Sequence, residues 1–340
     1  MNDKNLPSEQ TSTDLGRRTM LGKLLGGAAV VAATGTLFSR EEEVLAATLI
    51  GQDDVSQLPA DWAKLEELKK PMAQAKLGKV TLSRMFPGGN LVSGWAHARD
   101  LIYVSDLVKA YHTKGKIFAT LKLAEAGGMN TFLMNPSLCG VIKEYWEKAD
   151  GKIQFITNCS GGTEEELLGN LQKSIDYGAS SCLVQGEVGD RLVREGKFDQ
   201  IAKSLELVRK NDLPAGIAAH RLETLQACVA EGLIPDYWMK TFHHHRYWSA
   251  NPGKDEHDNV FCREPQETID FMADRPEPWI AFKVLAAGAV QPQDGFRYAF
   301  EGGADFICVG MYDFQVVDDV NICMDILDSQ LNRTRPWCNA

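Results

Sequence analysis

The stretch of residues 153–175, IQFITNCSGGTEEELLGNLQKSI, contains the unit from which the chain is built. Residues 153–158 are a short, mostly apolar run that predicts a buried strand, and the run ends at Ser160-Gly161-Gly162. Thr163, followed three residues later by Glu166, is a capping box, which marks the start of a helix. One face of that helix is apolar at 3.6-residue spacing and carries Leu167, Leu168, Leu171 and Ile175. A strand, a glycine turn and an amphipathic helix in this order predict one unit of a parallel sheet.

The same order of strand and helix recurs from residue 80 onward. Eight strands are predicted, at residues 80–85, 131–135, 153–158, 181–185, 215–219, 237–242, 279–285 and 306–310. The accompanying helices are predicted at residues 98–123, 141–146, 163–175, 198–210, 222–229, 265–272 and 315–327. Eight such units predict the α/β class and a (β/α)8 TIM barrel, in which the active site lies at the carboxyl ends of the strands.

The amino-terminal segment differs from the rest of the chain. Arg17-Arg18 precedes a weakly apolar run at residues 24–38, which resembles a twin-arginine export signal. The alternative is a disordered basic tail. The run is too short and too rich in small residues for a comfortable membrane span. We therefore expect residues 1–47 to be a signal or anchor, 48–79 a spacer with a short helix, 80–330 the barrel and 331–340 a tail. The signal implies a periplasmic or membrane-anchored protein, whose only membrane contact is this segment if it stays uncleaved.

The composition and charge of the chain indicate which classes of molecule it binds. The chain has 340 residues, 44% of them hydrophobic, with a formal net charge of -10. Such an acidic chain argues against nucleic acid or an anionic membrane surface and favours a small neutral or cationic molecule. Its eight cysteines include no C-x-x-C pair, so no zinc ribbon or thioredoxin-like motif is present. Nothing in the composition predicts the oligomeric state.

Four motifs in the expected order resemble the aldo-keto reductases over nearly all of residues 80–327. They are Ala126-Gly127-Gly128-Met129-Asn130-Thr131-Phe132, Thr163-Glu164-Glu165-Glu166-Leu167-Leu168, Gly216-Ile217-Ala218-Ala219-His220 and Val309-Gly310-Met311. The resemblance implies the same barrel. It also implies a catalytic tetrad of Asp, Tyr, Lys and His that works with a nicotinamide cofactor.

The tetrad positions carry other residues in this chain. The aspartate position falls on Leu133, the tyrosine on Leu138 or Cys139, the lysine on Asn158 and the histidine on Gln185. A leucine cannot orient a lysine, and an asparagine has no charge with which to lower the pKa of a phenol. The acidic residues after the last strand, Asp318 and Asp319, would repel a nucleotide phosphate. The resemblance therefore predicts a retained fold with a changed function, and it argues against NADP.

Alternation along the strands predicts which side chains point into the barrel. By this rule His220 and His243 face inward, with His245 as a further candidate, and Glu187 points the same way at the rim. Neighbouring strands lie about 4.8 Å apart, so Glu187, His220 and His243 are predicted to bind one zinc, manganese or iron ion. The alternatives are histidines satisfied by packing and a Glu187 paired with a nearby arginine.

The remaining candidates are a lysine and two amides. Lys283, expected to share a face with Ala281, is predicted to act as a base or an electrostatic stabiliser. Asn158 and Gln185 are predicted to orient the substrate by hydrogen bonds. Aromatic rings at the mouth suit stacking on a sugar, and they belong to Trp95, Tyr247, Trp248 and Tyr312. His97, in the first loop, either caps the site or lies on the surface.

Together these features predict an exported, metal-dependent lyase, hydrolase or isomerase that acts on a small polar, carbohydrate-derived substrate. Two alternatives stay open. One is an atypical NAD(P)-dependent oxidoreductase, and the other is a non-catalytic binding protein.

Overall fold

The computed structural model describes residues 58–97, 101–254 and 257–338. Within them, eight parallel strands form a ring in the order β3-β10-β9-β8-β7-β6-β5-β4. The ring strands are β3 (Met85–Pro87), β4 (Thr131–Met134), β5 (Gln154–Cys159), β6 (Ser181–Val184), β7 (Ala215–Ala219), β8 (Tyr237–Thr241), β9 (Trp279–Phe282) and β10 (Phe306–Val309). A parallel bridge from Gly88 to Leu133 joins β3 to β4 and closes the ring. The predicted (β/α)8 barrel is confirmed.

Ten α-helices of the described residues surround or cap this ring. They are α1 (Val104–Tyr111), α2 (Lys114–Ala126), α3 (Cys139–Ala149), α4 (Glu164–Asp176), α5 (Gly186–Arg194), α6 (Phe198–Lys210), α7 (Leu222–Ala230), α8 (Pro265–Ala273), α9 (Pro292–Glu301) and α10 (Val316–Asp328). The predicted capping box is present at α4, where Thr163 Oγ1 accepts from the Glu166 amide and Glu166 Oε2 accepts from the Thr163 amide, each at 3.2 Å. None of the described helices is long and apolar enough to cross a membrane.

Glycines allow the ring to close. The Gly88 amide donates to Val309 O at 2.9 Å, and the Gly89 amide donates to Leu133 O at 2.6 Å. A Cβ on Gly89 would lie 2.9 Å from that same oxygen, closer than carbon and oxygen normally approach. The Pro87-Gly88-Gly89 turn therefore lets one chain segment contact both neighbours of β3.

Strand alternation separates two cores. The barrel interior is filled by Phe86, Leu133, Ile156, Leu183, Ala218, Met239, Ile280 and Cys308. The alternate positions, such as Ile217, pack between the ring and the helices. His220 has the inward parity of Ala218, as predicted.

Two predicted elements differ from the structure. Residues 80–85 do not form the first ring strand, because β2 (Val80–Ser83) pairs antiparallel with β1 (Gln74–Leu77), in the segment predicted as a spacer. Leu77 and Leu82 of this hairpin extend the barrel interior. The single helix predicted at residues 98–123 is two helices, since Thr113 caps α2 by accepting from the Lys116 amide at 3.3 Å.

Two further helices, α5 and α9, were not predicted. α5 is short, and its sequence GEVGDRLVR contains two glycines, which lower intrinsic helix propensity. The residues predicted to form a signal lie outside the described part of the chain.

Candidate active site

The histidine run of residues 243–245 fastens the long loop that joins β8 to α8. His243 is 1% exposed, its Nδ1 donates to His244 O at 2.9 Å, and its Nε2 accepts from the amides of Phe261 and Cys262 at 2.9 and 3.0 Å. Burial lowers the pKa of His243 to about 4, so the ring is neutral. Both ring nitrogens of His243 therefore form hydrogen bonds with backbone groups of this loop.

The next two histidines complete this fastening. His244 Nε2 contacts Asp294 of α9 at 2.8 Å, and its Nδ1 accepts from the Arg246 amide at 3.0 Å. His245 Nε2 donates to Cys262 O at 2.6 Å. The run therefore holds both ends of the loop against the barrel.

The structure does not assemble the predicted metal ligands Glu187, His220 and His243 into one group. Among the described residues, no three His, Cys, Asp or Glu side chains are placed to share a metal ion. Glu187 lies exposed on the first turn of α5, because the chain turns into a helix directly after β6. His243 has no free nitrogen. This corrects the predicted ligand set.

His220 does lie at the mouth, and a buried carboxylate holds it. Asp190 Oδ2 accepts from the His220 amide at 3.1 Å and from Nδ1 at 3.2 Å, and Asp190 Oδ1 accepts from the Thr224 hydroxyl at 2.7 Å. Burial alone would raise the pKa of Asp190, but the bonds from His220 and Thr224 outweigh burial and lower it. For His220, burial has the opposite effect and lowers the pKa of the ring. The ring is therefore a neutral imidazole with its proton on Nδ1.

A lysine that sequence reasoning missed anchors the same turn. Lys240 is fully buried, and its Nζ donates to the carbonyls of His220 at 2.6 Å and Thr241 at 3.0 Å. Burial lowers its pKa. The available signal was a lysine inside an otherwise apolar strand.

Lys283 reaches the mouth because its backbone breaks the alternation of β9. Ala281 packs on the helix side, so a regular strand would point Lys283 away from the barrel. The backbone at Lys283 instead has φ 46°, and the amine contacts His97 Nε2. Nζ also lies 4.0 Å from the centroid of the Phe261 ring. Lys283 is therefore at the predicted mouth, but not through the predicted shared face.

The surroundings of Lys283 favour the neutral amine. Burial lowers its pKa to about 8, against opposing effects from the charges of Asp258 and Glu187. The charge of Lys283 in turn adds to burial in lowering the pKa of His220, so the two side chains are within electrostatic reach.

His97 links Lys283 to a carboxylate. Its Nδ1 lies 2.9 Å from Asp258 Oδ2, and its ring packs on Phe261 at 4.5 Å between centroids. Burial would raise the pKa of Asp258, but the hydrogen bond from His97 outweighs burial and lowers it. A charged Asp258 accepts the Nδ1 proton, so Nε2 presents a lone pair to the amine. His97 thus contacts Lys283 at the barrel mouth while its side chain is 38% exposed, so it lies on the surface beside the candidate site.

The two predicted amides stand at neighbouring strand ends. Asn158 has the inward parity of Ile156, and its Oδ1 is buried without a hydrogen-bond partner among the described residues. Gln185 is half-buried directly after β6 and precedes α5. A buried amide oxygen without a partner is available to a bound molecule.

The aromatic residues lie on loops after the ring strands. Trp248 is 81% exposed, whereas Tyr312 is half-buried and stacks on Phe314 and His112. The Tyr247 hydroxyl donates to Asn259 O at 2.7 Å. Tyr247 and Tyr312 therefore make contacts that stabilise the loops, whereas Trp248 is exposed at the rim.

Comparison with known proteins identifies the fold. No protein-family model matches the chain, and no curated protein matches it. One candidate aldo-keto reductase from Pseudomonas aeruginosa is 14% identical with a TM-score of 0.54, over 79% of this chain and 100% of that chain. A second structure of a candidate aldo-keto reductase from that organism is 15% identical with a TM-score of 0.52, over 76% and 98%. A mutant (S)-mandelate dehydrogenase is 12% identical with a TM-score of 0.47, over 85% of each chain. Identities this low show the barrel alone.

Proposed function

We propose that the chain is a barrel enzyme, a lyase or isomerase that transfers protons at a carbonyl-bearing substrate. Lys283 and His220 are the two side chains to which we assign the chemistry. The observation that carries the proposal is the row Asp258–His97–Lys283 at the carboxyl ends of the strands, where this fold places active sites. Perturbed titratable groups in a cleft are typical of functional sites.

Lys283 activates the carbonyl. With a pKa of about 8 the amine exists in both protonation states near neutral pH. A positive charge beside the carbonyl oxygen stabilises the enolate that forms when a neighbouring carbon loses a proton. Asp258 and His97 hold the amine in place for this role.

His220 exchanges the proton. Asp190 holds its Nδ1 proton, and Nε2 has no hydrogen-bond partner among the described residues. A neutral imidazole held by a carboxylate is a general base near neutral pH, and its conjugate acid returns the proton. Asn158 supplies a hydrogen bond that orients the substrate.

Charge and aromatic residues support a small polar substrate. The net charge of -10 disfavours large anionic partners, and exposed Trp248 suits stacking on a sugar face. Export by the twin-arginine route, to the periplasm or to a membrane anchor, is part of the proposal and rests on Arg17-Arg18.

The departures from the reductase tetrad support a reaction other than nicotinamide-dependent reduction. Leucine, asparagine and glutamine occupy three of the positions, at Leu133, Asn158 and Gln185. Zinc, manganese or iron stays a prediction of the sequence, with His220 as the candidate ligand. Metal analysis of protein purified without a histidine tag tests it, and the lysine chemistry proposed here requires no metal.

The test is hydrogen exchange into candidate substrates in deuterated water. Dihydroxyacetone, glyceraldehyde, pyruvate and glucose are incubated with the enzyme, and proton NMR follows the carbon next to each carbonyl. We expect His220→Ala and Lys283→Met to slow exchange by roughly a hundredfold. Lys197→Met, which removes an exposed lysine, should have no effect. Oxidation of NADPH by these compounds without exchange would instead identify an oxidoreductase, and saturable binding with neither reaction would identify a binding protein.

A further inference from the structure

We propose that Lys283 is a covalent nucleophile that forms an imine with an aldehyde or ketone substrate. This inference rests on the proposed function and deepens it, because it assigns the amine a bond to the carbonyl carbon rather than a charge beside the oxygen. Three observations about Lys283 lead to it.

The backbone at Lys283 is held in a left-handed conformation that non-glycine residues rarely adopt. Such a conformation is strained and persists where the surroundings enforce it, commonly at active sites. Here its consequence is specific, since it turns an amine that alternation would send to the helix layer into the barrel mouth. A charged surface lysine would need no such arrangement.

The contacts of Lys283 differ from those of Lys114 and Lys240, the two fully buried lysines among the described residues. Lys114 is buried and forms an ion pair with Glu144 at 2.9 Å. Lys240 donates to two carbonyls and is completely buried, so no substrate reaches it. Lys283 is half-buried, and no carboxylate of the described residues lies within ion-pair distance of its amine. The Lys283 amine is therefore accessible to a substrate, and no ion pair with a described residue stabilises its charged form.

His97 is placed to move the protons that imine formation requires. The lone pair of the neutral amine attacks the carbonyl carbon, the carbonyl oxygen takes up one proton from solvent, and the nitrogen loses one to His97 Nε2, so that the protonated imine retains a net gain of one solvent proton. His97, now charged and paired with Asp258, returns that proton to the carbinolamine hydroxyl. The hydroxyl leaves as water while the nitrogen lone pair forms the C=N bond. One water is released for each imine, and no oxidant or reductant takes part.

The ring of Phe261 packs against both the amine and His97. Its ring lies 4.0 Å from Nζ and 4.5 Å from the His97 ring. An apolar face there removes water from one side of the amine, which favours the neutral nucleophile before attack. The same face attracts the positive charge of the protonated imine afterwards, because aromatic rings attract cations.

The experiment uses acetylacetone as the probe. A 1,3-diketone condenses with an amine to give a conjugated enaminone that absorbs in the near ultraviolet, and peptide mass mapping locates it. In the folded wild-type protein we expect one adduct, on Lys283, with a labelling rate that rises with pH and has its midpoint at about pH 8. Ordinary lysines, with a pKa of about 10.4, label at higher pH. Lys197→Met should label as the wild type does, whereas Lys283→Met should lose the chromophore.

A second probe measures imine formation directly. Dihydroxyacetone with sodium cyanoborohydride should convert the imine of Lys283 to a secondary amine, and His97→Ala should slow that trapping at least tenfold. Wild-type protein in which Lys283 labels no faster than exposed lysines would overturn the inference, whether or not Lys283→Met folds. If hydrogen exchange still depends on Lys283 in that case, the proposed function stands and the amine acts through its charge. An adduct on Lys283 without any hydrogen exchange would retain the imine and overturn the proposed reaction class.

Discussion

At the residue scale, the two histidines of the candidate site are held in the same way. Asp190 contacts Nδ1 of His220, and Asp258 contacts Nδ1 of His97. In both rings the carboxylate selects the tautomer with its proton on Nδ1, which leaves Nε2 as the basic atom. Each carboxylate can therefore determine which ring nitrogen is basic without contacting the substrate.

Replacing Asp190 with asparagine tests this arrangement. The amide of Asp190→Asn can donate to Nδ1, which favours the other tautomer and places a proton on Nε2. We expect kcat for hydrogen exchange to fall by roughly a hundredfold with little change in KM. Asp199→Asn, on the exposed side of α6, is the matched control and should leave both constants unchanged. Equal losses in the two variants, or a loss confined to KM, would contradict a tautomer role.

The charge of Glu187 provides a second test at this scale. Glu187 raises the pKa of Lys283, so removing its charge in Glu187→Gln should lower that pKa further. A lysine loses its positive charge as pH rises, so the rising limb of the acetylacetone labelling profile should move to lower pH, by a few tenths of a unit for an exposed carboxylate. The shift should disappear in high salt, because screening removes the interaction. A shift to higher pH would show that the charge of Glu187 does not act on this amine.

At the scale of elements, the loop from β8 to α8 forms one wall of the site. It carries Asp258 and Phe261, and the neutral ring of His243 holds it by accepting two amide hydrogens. Protonation of Nε2 would direct a hydrogen at those two donors. The stability of this loop should therefore depend on pH.

The expected pH dependence follows from the low pKa of His243. In the folded chain it is about 4, whereas an unfolded histidine has about 6.5. His243 thus contributes stability that is fully present above about pH 6.5 and is lost as pH falls toward about 4. Between about pH 7 and about pH 5 the free energy of unfolding should decrease by about 2 kcal/mol on its account.

Urea unfolding at these two pH values measures the effect. His243→Gln keeps an acceptor without a titrating ring, so its stability should change less with pH than that of the wild type. His257→Gln, which replaces a histidine of the same loop, should retain the wild-type dependence. An unchanged dependence in His243→Gln would show that another group is responsible.

At the scale of the whole molecule, the carboxyl-terminal residues close the amino-terminal end of the barrel. Arg335 is 4% exposed, and its guanidinium donates to Met272 O at 3.1 Å and to Asp305 Oδ2 at 3.2 Å. Asp305 is completely buried beside β10. This end of the barrel contains charge pairs and the β1–β2 hairpin, whereas the catalytic candidates lie at the opposite end.

Removing one partner of this buried pair should destabilise the barrel without changing its chemistry. Arg335→Met leaves Arg333, at 3.6 Å, as the remaining charged partner of Asp305, so the cost should approach the ~3–5 kcal/mol that is typical of breaking a buried pair. The melting temperature should fall, while acetylacetone labelling of Lys283 below the transition should be unchanged. Arg297→Met, which breaks a half-exposed pair with Glu301, should cost under about 1 kcal/mol. Similar losses in the two variants would show that burial of Asp305 does not matter.

Sequence periodicity predicted the ring of strands because each strand must bury one or both faces, and burial leaves a local pattern. It failed at the first strand and at α5, where a hairpin and a glycine-containing helix replace the expected pattern. Alternation placed His220 correctly, since β7 is regular up to Ala219. It misjudged Glu187 and Lys283, because each follows a point where the strand ends and the backbone turns.

The amino-acid sequence by itself determined the barrel, the position of the mouth and the presence of an unusual lysine and histidine there. Only the tertiary structure decided which partners these side chains have. His97 and Lys283 are 186 residues apart, and the loop that supplies Asp258 is held against the barrel by contacts that include those of residues 243–245. The physical reason is that periodicity records the burial of each element, whereas hydrogen bonds between distant loops and a left-handed backbone leave no local pattern.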